Sequence, residues 1–359
     1  MRAAVCRAHG EPLVIEELTL DLPHPGEVLV DVRACAVCHS DITYAQGGWG
    51  GTLPAVFGHE AAGVVAAVGP EVHGVAPGDR VVVTLIRSCG TCRSCTDGRF
   101  VLCEGIVGLG ARAPLRDASG EPVLQGMNAG GFAEQVLVHH SQVAPLPDDV
   151  DFVTGSLLGC GVITGVGAVT KTASVAPGES VVVIGAGGVG LNCLQGAALS
   201  GAHPIVAVDV VPSKLEAARL FGATTTVDAS RDDVAGAVAA ATERRMADHV
   251  FVSVGAGAAI EQGLSLMARG GETVIVGMPA SGITCTFDPG ELADRGQRIL
   301  GSKMGSAHVQ VDIPHLLGLY RAGRLKLDEL VSGTYSLSEI NDAFDSVVRG
   351  EALRNVVVF

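Results

Sequence analysis

Residues 181–199, VVVIGAGGVGLNCLQGAAL, constrain the fold more than any other stretch of the chain. An unbroken apolar segment meets Gly185, Gly187 and Gly190 in the pattern G-x-G-x-x-G, and a helical pattern follows. The length suits a membrane span, but the glycines, Asn192 and Gln195 fit a strand, a tight turn and a helix. In such a turn the first glycine permits the sharp bend and the second lets a pyrophosphate approach the backbone. The third lets the helix pack closely on the strand, and the helix N-terminus offers unpaired amides to the phosphates. Asp209 ends the next apolar run, 19 residues after Gly190, where a carboxylate accepts hydrogen bonds from ribose hydroxyls. A carboxylate there repels the extra phosphate of NADP, so the expected cofactor is NAD. Lys214 stands five residues on, within reach of a ribose oxygen or simply covering a helix.

From Val181 onward apolar strands (Val181–Ile184, Ile205–Val208, Thr224–Val227, Val250–Val254, Thr273–Val276) alternate with helical stretches such as Lys214–Phe221 and Asp233–Thr242. That alternation predicts a doubly wound parallel sheet. Residues 1 to about 155 read instead as short strands between turns, including Val28–Val32, Ala62–Val68 and Arg80–Thr84. The tail predicts helices near Ile313–Ala322 and Leu337–Arg349 and a closing strand at Asn355–Phe359. At 359 residues, with 48% hydrophobic and 17% charged residues, the chain suits two globular domains. A net charge of -14 and the scattered basic residues argue against nucleic acid as a partner. The opening residues have no apolar signal-peptide core, so a soluble cytoplasmic enzyme without membrane partners is expected. Ten cysteines in a reducing compartment point to metal ligands or reduced core thiols.

Cys89, Cys92, Cys95 and Cys103 form C-x2-C-x2-C-x7-C, four thiols within 15 residues. Four thiolates complete a tetrahedral zinc and leave no position open for chemistry, so a structural site is expected. An iron–sulfur cluster uses the same donor set. A second constellation is dispersed: Cys38 in CHSD, His59 and Glu60 in GHE, and Cys160 in LLGCG. Two cysteines and a histidine leave zinc a fourth position for an alcohol oxygen. His39 competes with His59 for that role, and spacing alone does not decide between them.

Taken together, ACAVCHSD, FGHEAAGVV, the Cys89–Cys103 loop, LLGCGVITGVGAV, VIGAGGVGL, IVAVD and ALRNVVVF resemble the zinc-containing medium-chain alcohol dehydrogenase family over nearly the whole chain. The resemblance implies an α/β protein with a GroES-like, partly open β-barrel catalytic domain at residues 1–161 and 303–359. A Rossmann nucleotide domain is implied at 162–302, with the active site between the two. It implies a catalytic zinc on Cys38, His59 and Cys160, with Glu60 beside it, and a structural zinc on the four-cysteine loop. Asp41 would orient His59, and Ser40 would take the alcohol proton. His39 and Arg354 would contact the pyrophosphate, next to the turn Gly185, Gly187, Gly188 and Gly190, with Asp209 and Lys214 on the ribose. Thr164, Val189, Val254, Val276 and Gly277 would line the nicotinamide side. A homodimer through the nucleotide domain's sheet edge, or a homotetramer, is the implied assembly.

One position departs from the ethanol-oxidising members, whose proton relay ends on a histidine five residues after the zinc cysteine. Thr43 stands there, and a hydroxyl relays a proton through water but is a poor base. CHSDITYAQGG is more similar to thiol-dependent formaldehyde dehydrogenases, particularly the mycothiol-using branch. The expected reaction is therefore hydride transfer between a primary or secondary alcohol, or the matching aldehyde or ketone, and NAD. The alternative substrate is an S-(hydroxymethyl) adduct of mycothiol or glutathione. Reduction of activated C=C bonds, or a noncatalytic NAD- and zinc-binding role, fits the intact ligand set and Ser40 less well. Cys6, Cys35, Cys193 and Cys285 read as reduced thiols, and Trp49 and Leu85 as pocket walls or ordinary packing.

Overall fold

In a computed structural model, which describes residues 1–105, 109 and 112–359, the chain forms two compact units. One unit comprises Met1–Gly161 with His308–Phe359, and the other Val162–Ala307.

The second unit is built on a six-stranded, wholly parallel sheet. In spatial order its strands are Thr225–Asp228, Ile205–Asp209, Val181–Ile184, Ala247–Val252, Met267–Ile275 and Arg298–Gly301. The central strands are continuous apolar runs because helices cover both faces; all four residues of Val181–Ile184 are buried. Strand order reverses between Val181–Ile184 and Ala247–Val252, and the C-terminal ends of strands at such a reversal form a ligand crevice. The glycine turn lies there, feeding the helix Gly188–Leu199. That strand–turn–helix accounts for the apolar stretch, and among the described residues no single helix is long and apolar enough to cross a membrane.

Residues 303–307, expected with the catalytic unit, pack in the nucleotide unit instead. Gly305 has φ +62° and lies so close to another helix that a Cβ there would fall 2.4 Å from the Ile163 carbonyl oxygen. A turn so tightly seated belongs with the helix it touches, which moves the boundary to His308.

In the first unit the ten-residue strand Glu27–Ala36 is central. It pairs antiparallel with Glu60–Val68 along one edge, and along the other with Gln135–His139 and then Arg354–Val358. Arg80–Thr84, Val143–Pro145 and Val331–Ser336 complete this sheet. A second sheet has the order Val14–Glu17, Arg2–Cys6, Ala55–Val56, Pro122–Gln125, Leu115–Arg116, Thr19–Leu20. The inward-facing residues form one core around Val30, Val65, Val83, Leu115 and Phe132. The C-terminal strand matters most for the site: Val356 pairs with Ala36, which carries Arg354 to the region just before Cys38.

Candidate active site and metal centres

Local geometry at Cys38 is set by Asp41. Cys38 precedes the helix His39–Ala45, and its amide donates to Asp41 Oδ2 at 2.9 Å. The other oxygen, Oδ1, accepts from the Gly58 amide at 2.9 Å and from His59 Nδ1 at 3.0 Å. Asp41 is wholly buried, so one carboxylate ties the cysteine, the turn and the histidine together. Gly58 makes that turn at φ +90°, where a Cβ would fall 2.6 Å from the Phe132 amide nitrogen. A proton on Nδ1, donated to Asp41, leaves the His59 Nε2 lone pair free.

The Nε2 atom is buried and without a hydrogen-bond partner. Ligand atoms of Cys38, His59, Glu60 and Cys160 all lie within 4.8 Å of one another. His59 and Glu60 are 0% exposed, Cys160 5% and Cys38 6%. Small residues deliver Cys160: a Cβ on Gly159 would fall 2.7 Å from the Val83 carbonyl oxygen and 2.8 Å from the Glu60 Cα. Glu60 accepts from the Gly161 amide at 3.2 Å and forms a buried ion pair with Arg354. Ser40 Oγ lies 3.7 Å from Cys38 Sγ. Thr43 Oγ1 donates back to the His39 carbonyl at 3.0 Å, and His39 itself is exposed.

The electrostatics suit a cation. A hydrogen bond from Cys160, aided by His59 and opposed by burial, holds the Cys38 thiol well below its ordinary value. Donating that bond, together with burial, pushes Cys160 well up. Burial lowers His59, but Asp41 and Cys38 outweigh it and raise the imidazole well above its usual range. Burial also lifts Glu60 to about 7 despite Arg354. Two sulfurs and one orphaned imidazole nitrogen in a buried cluster match the donor set that zinc prefers, and the cluster includes His59 but not His39.

The four-cysteine loop forms the other candidate centre, its sulfurs also within 4.8 Å of one another. Backbone amides of Thr91 and Cys92 point at Cys89 Sγ, at 3.5 and 3.3 Å, and those of Cys89 and Gly105 at Cys103 Sγ, both at 3.3 Å. Amide donation, first from Thr91, lowers Cys89 to about 6. Only glycine fits at 105, where a Cβ would fall 2.3 Å from Cys89 Sγ. Phe100 stacks on His308 with ring centroids 4.0 Å apart and anchors the loop.

In the nucleotide unit Gly185 has φ +95°, and a Cβ on Gly190 would fall 1.8 Å from the Gly185 carbonyl oxygen. Nothing lies within 4 Å of a Cβ placed on Gly187, the face a pyrophosphate would approach. Asp209 Oδ2 accepts from the Ala186 amide at 2.6 Å, and Oδ1 from the amides of Val210 and Val211 at 2.7 and 2.9 Å. Thr164 donates to Met304 Sδ at 3.6 Å. Val276 is buried and Val254 exposed, both at strand ends.

The comparisons with known proteins agree with this geometry. Residues 24–148 match the alcohol dehydrogenase GroES-like domain, and residues 188–320 match the zinc-binding dehydrogenase domain. The chain is 39% identical to an NDMA-dependent alcohol dehydrogenase from Amycolatopsis methanolica, over 99% of this chain and 98% of that protein. This chain belongs to the zinc-containing alcohol dehydrogenase family. This alcohol dehydrogenase is also 33% identical to an S-(hydroxymethyl)glutathione dehydrogenase from Paracoccus denitrificans, over 100% of this chain and 99% of the relative. Its fold superposes on a crystal structure of an alcohol dehydrogenase zinc-binding domain protein from Burkholderia ambifaria. The TM-score is 0.94 at 36% identity, covering 100% of this chain and 98% of the other.

Two features of this alcohol dehydrogenase escape a reading of its sequence. Ser253 follows the strand Ala247–Val252 and donates to the Gly185 carbonyl at 2.9 Å; its only sequence signal is its place at a strand end. The Phe100–His308 stack joins residues more than 200 positions apart, and neither has a local signature.

Proposed function

We propose that this chain is an NAD-linked alcohol dehydrogenase with a catalytic zinc on Cys38, His59 and Cys160 and a structural zinc on Cys89, Cys92, Cys95 and Cys103. The observation that carries it is the buried, unpartnered His59 Nε2 facing two sulfurs. Zinc held there would supply Lewis acidity toward an alcohol oxygen, and NAD would supply the hydride acceptor. Asp41 keeps the His59 proton on Nδ1, and so keeps Nε2 available. Arg354 holds the Glu60 carboxylate beside the cluster without leaving it an unpaired buried charge. Ser40 is placed beside Cys38 to take the alcohol proton. Thr43, its own hydrogen committed to the His39 carbonyl, can receive a proton but has no basic nitrogen to hold it. Asp209 serves as the ribose acceptor, and its charge favours NAD over NADP. His39, Arg354 and Lys214 are assigned to the phosphates and ribose, and Thr164, Val189, Val254, Val276 and Gly277 to the nicotinamide.

Replacing Cys38 with Ala should abolish turnover and leave a folded protein that binds NAD as before. Full activity in that variant would end the zinc reading.

A second reading, oxidation of an S-(hydroxymethyl)thiol formed from formaldehyde and glutathione or mycothiol, is favoured by Thr43 in place of a relay histidine. The Paracoccus relative's activity supports it too. The NDMA dependence of the Amycolatopsis relative adds a question of acceptor, answered by assaying with NAD alone and with NDMA added. All ten cysteines are free, which suits a reducing compartment, so the cytoplasm is the proposed location. For assembly, a homodimer or homotetramer through the edge strand Arg298–Gly301 is supported by Met278, Ile283 and Phe287, which are exposed on the segment leading to it.

A further inference from the structure

The peptide unit joining Gly185 to Ala186 is gripped at both ends. Its carbonyl, on Gly185, accepts from Ser253 Oγ at 2.9 Å. Its N–H, on Ala186, donates to Asp209 Oδ2 at 2.6 Å. The two gripping side chains stand at the ends of neighbouring strands, Ala247–Val252 and Ile205–Asp209, on opposite sides of Val181–Ile184. Asp209 is itself held by the amides of Val210 and Val211, so it cannot swing away without breaking three hydrogen bonds. Gly190 leaves the room this arrangement needs: a Cβ there would fall 1.8 Å from the Gly185 oxygen and 2.8 Å from Ser253 Oγ. A peptide plane fixed through both its donor and its acceptor cannot flip, and its orientation determines where the following amides of the turn point.

We propose that Ser253 and Asp209 are positioning residues that lock the Gly185–Ala186 peptide and so preset the turn for a dinucleotide pyrophosphate before the cofactor arrives. The proposal rests on the NAD reading and adds two consequences. Asp209 has a second role besides facing the ribose, so removing its charge loosens the phosphate turn as well as relaxing the choice of cofactor. Ser253 contributes to affinity without taking part in that choice, because its hydroxyl is turned inward, to the Gly185 carbonyl at 2.9 Å and the Ile184 carbonyl at 3.2 Å. Preorganisation of this kind lowers the ordering cost of binding.

The test uses the full-length protein. NAD and NADP affinities are measured by titration calorimetry for the wild type, Ser253→Ala and Asp209→Asn. Exchange of the Ala186 amide is followed in nucleotide-free protein. Loss of one hydrogen bond should weaken NAD and NADP alike by about three- to tenfold in Ser253→Ala, leaving their ratio unchanged. In Asp209→Asn NAD should weaken and the ratio should move toward NADP. The Ala186 amide should exchange slowly in the wild type and faster in both variants. Unchanged NAD affinity in Ser253→Ala, a changed ratio in that variant, or rapid Ala186 exchange in the wild type would each overturn the lock. Wild-type protein that bound neither nucleotide would refute the NAD reading, and slow Ala186 exchange would then still support the pinned turn. The exchange measurement needs no variant to fold.

Discussion

Asp41→Asn changes one atom and should cripple the catalytic centre. The carboxylate is fully buried and accepts three N–H groups, from Cys38 and Gly58 at 2.9 Å and from His59 Nδ1 at 3.0 Å. Asparagine offers one oxygen and one NH2. Its oxygen can keep Gly58 and His59, but the NH2 then faces the Cys38 amide, donor against donor. A buried amide left unsatisfied costs about 1–3 kcal/mol. Loss of the negative charge weakens the two remaining bonds, each by roughly half of a charge-assisted bond's strength. The expected destabilisation is about 2–4 kcal/mol, consistent with breaking a buried network. If the amide flips to satisfy Cys38, its NH2 faces Nδ1, the His59 proton moves to Nε2, and the ligand atom is lost. Either way zinc affinity at this centre should fall roughly 10- to 100-fold. The assay is zinc content after equilibration with graded chelator, paired with urea unfolding. The four-cysteine centre should keep its metal and serve as the internal control. Wild-type zinc retention at both centres, with unfolding shifted by less than about 0.5 kcal/mol, would refute the reasoning.

Three further outcomes are expected. Arg354→Ala removes the cation that opposes burial at Glu60, whose carboxyl already stands at about 7, so Glu60 should take up a proton and stability should fall by about 1–3 kcal/mol, read from the unfolding midpoint. Gly190→Ala pushes a methyl into the Gly185 carbonyl and should abolish NAD binding in a fluorescence titration while both zinc centres stay loaded. Burial, then the charges of His140 and Arg87, lower His139 to about 4, below its usual value near 6.5. The unfolded chain therefore binds the extra proton first, and the native state loses stability as pH falls from about 6.5 toward 4. His139→Gln should flatten that part of the urea-stability profile relative to the wild type, and an unchanged slope would show that His139 does not contribute to it.

How much of this was legible in the sequence follows from how local each cause is. The glycine turn and Asp209 were readable because spacing within one strand–turn–helix sets their geometry. The four-cysteine loop was readable for the same reason. Cys38, His59 and Cys160 come from three distant segments, and residue types alone left His39 as a rival. The structure gathers His59, held inward by Asp41, with the two cysteines, while His39 faces solvent. The boundary at residue 303 failed because the turn at Met304–Ser306 is decided by Gly305 seated against a helix more than 130 residues earlier. Ser253 was invisible for a similar reason: its partner lies on a neighbouring strand, and a serine at a strand end reads as an ordinary turn residue.

The most direct test of the central claim is steady-state nicotinamide reduction by zinc-loaded protein given NAD. The substrates are ethanol, benzyl alcohol, and formaldehyde with and without glutathione or mycothiol. Alcohol-dependent formation of NADH is the expected result. NADH from formaldehyde only when a thiol is present would assign the thiol adduct as substrate and give Thr43 its reason. Protein carrying zinc at both centres that reduced NAD with none of these substrates would contradict the account.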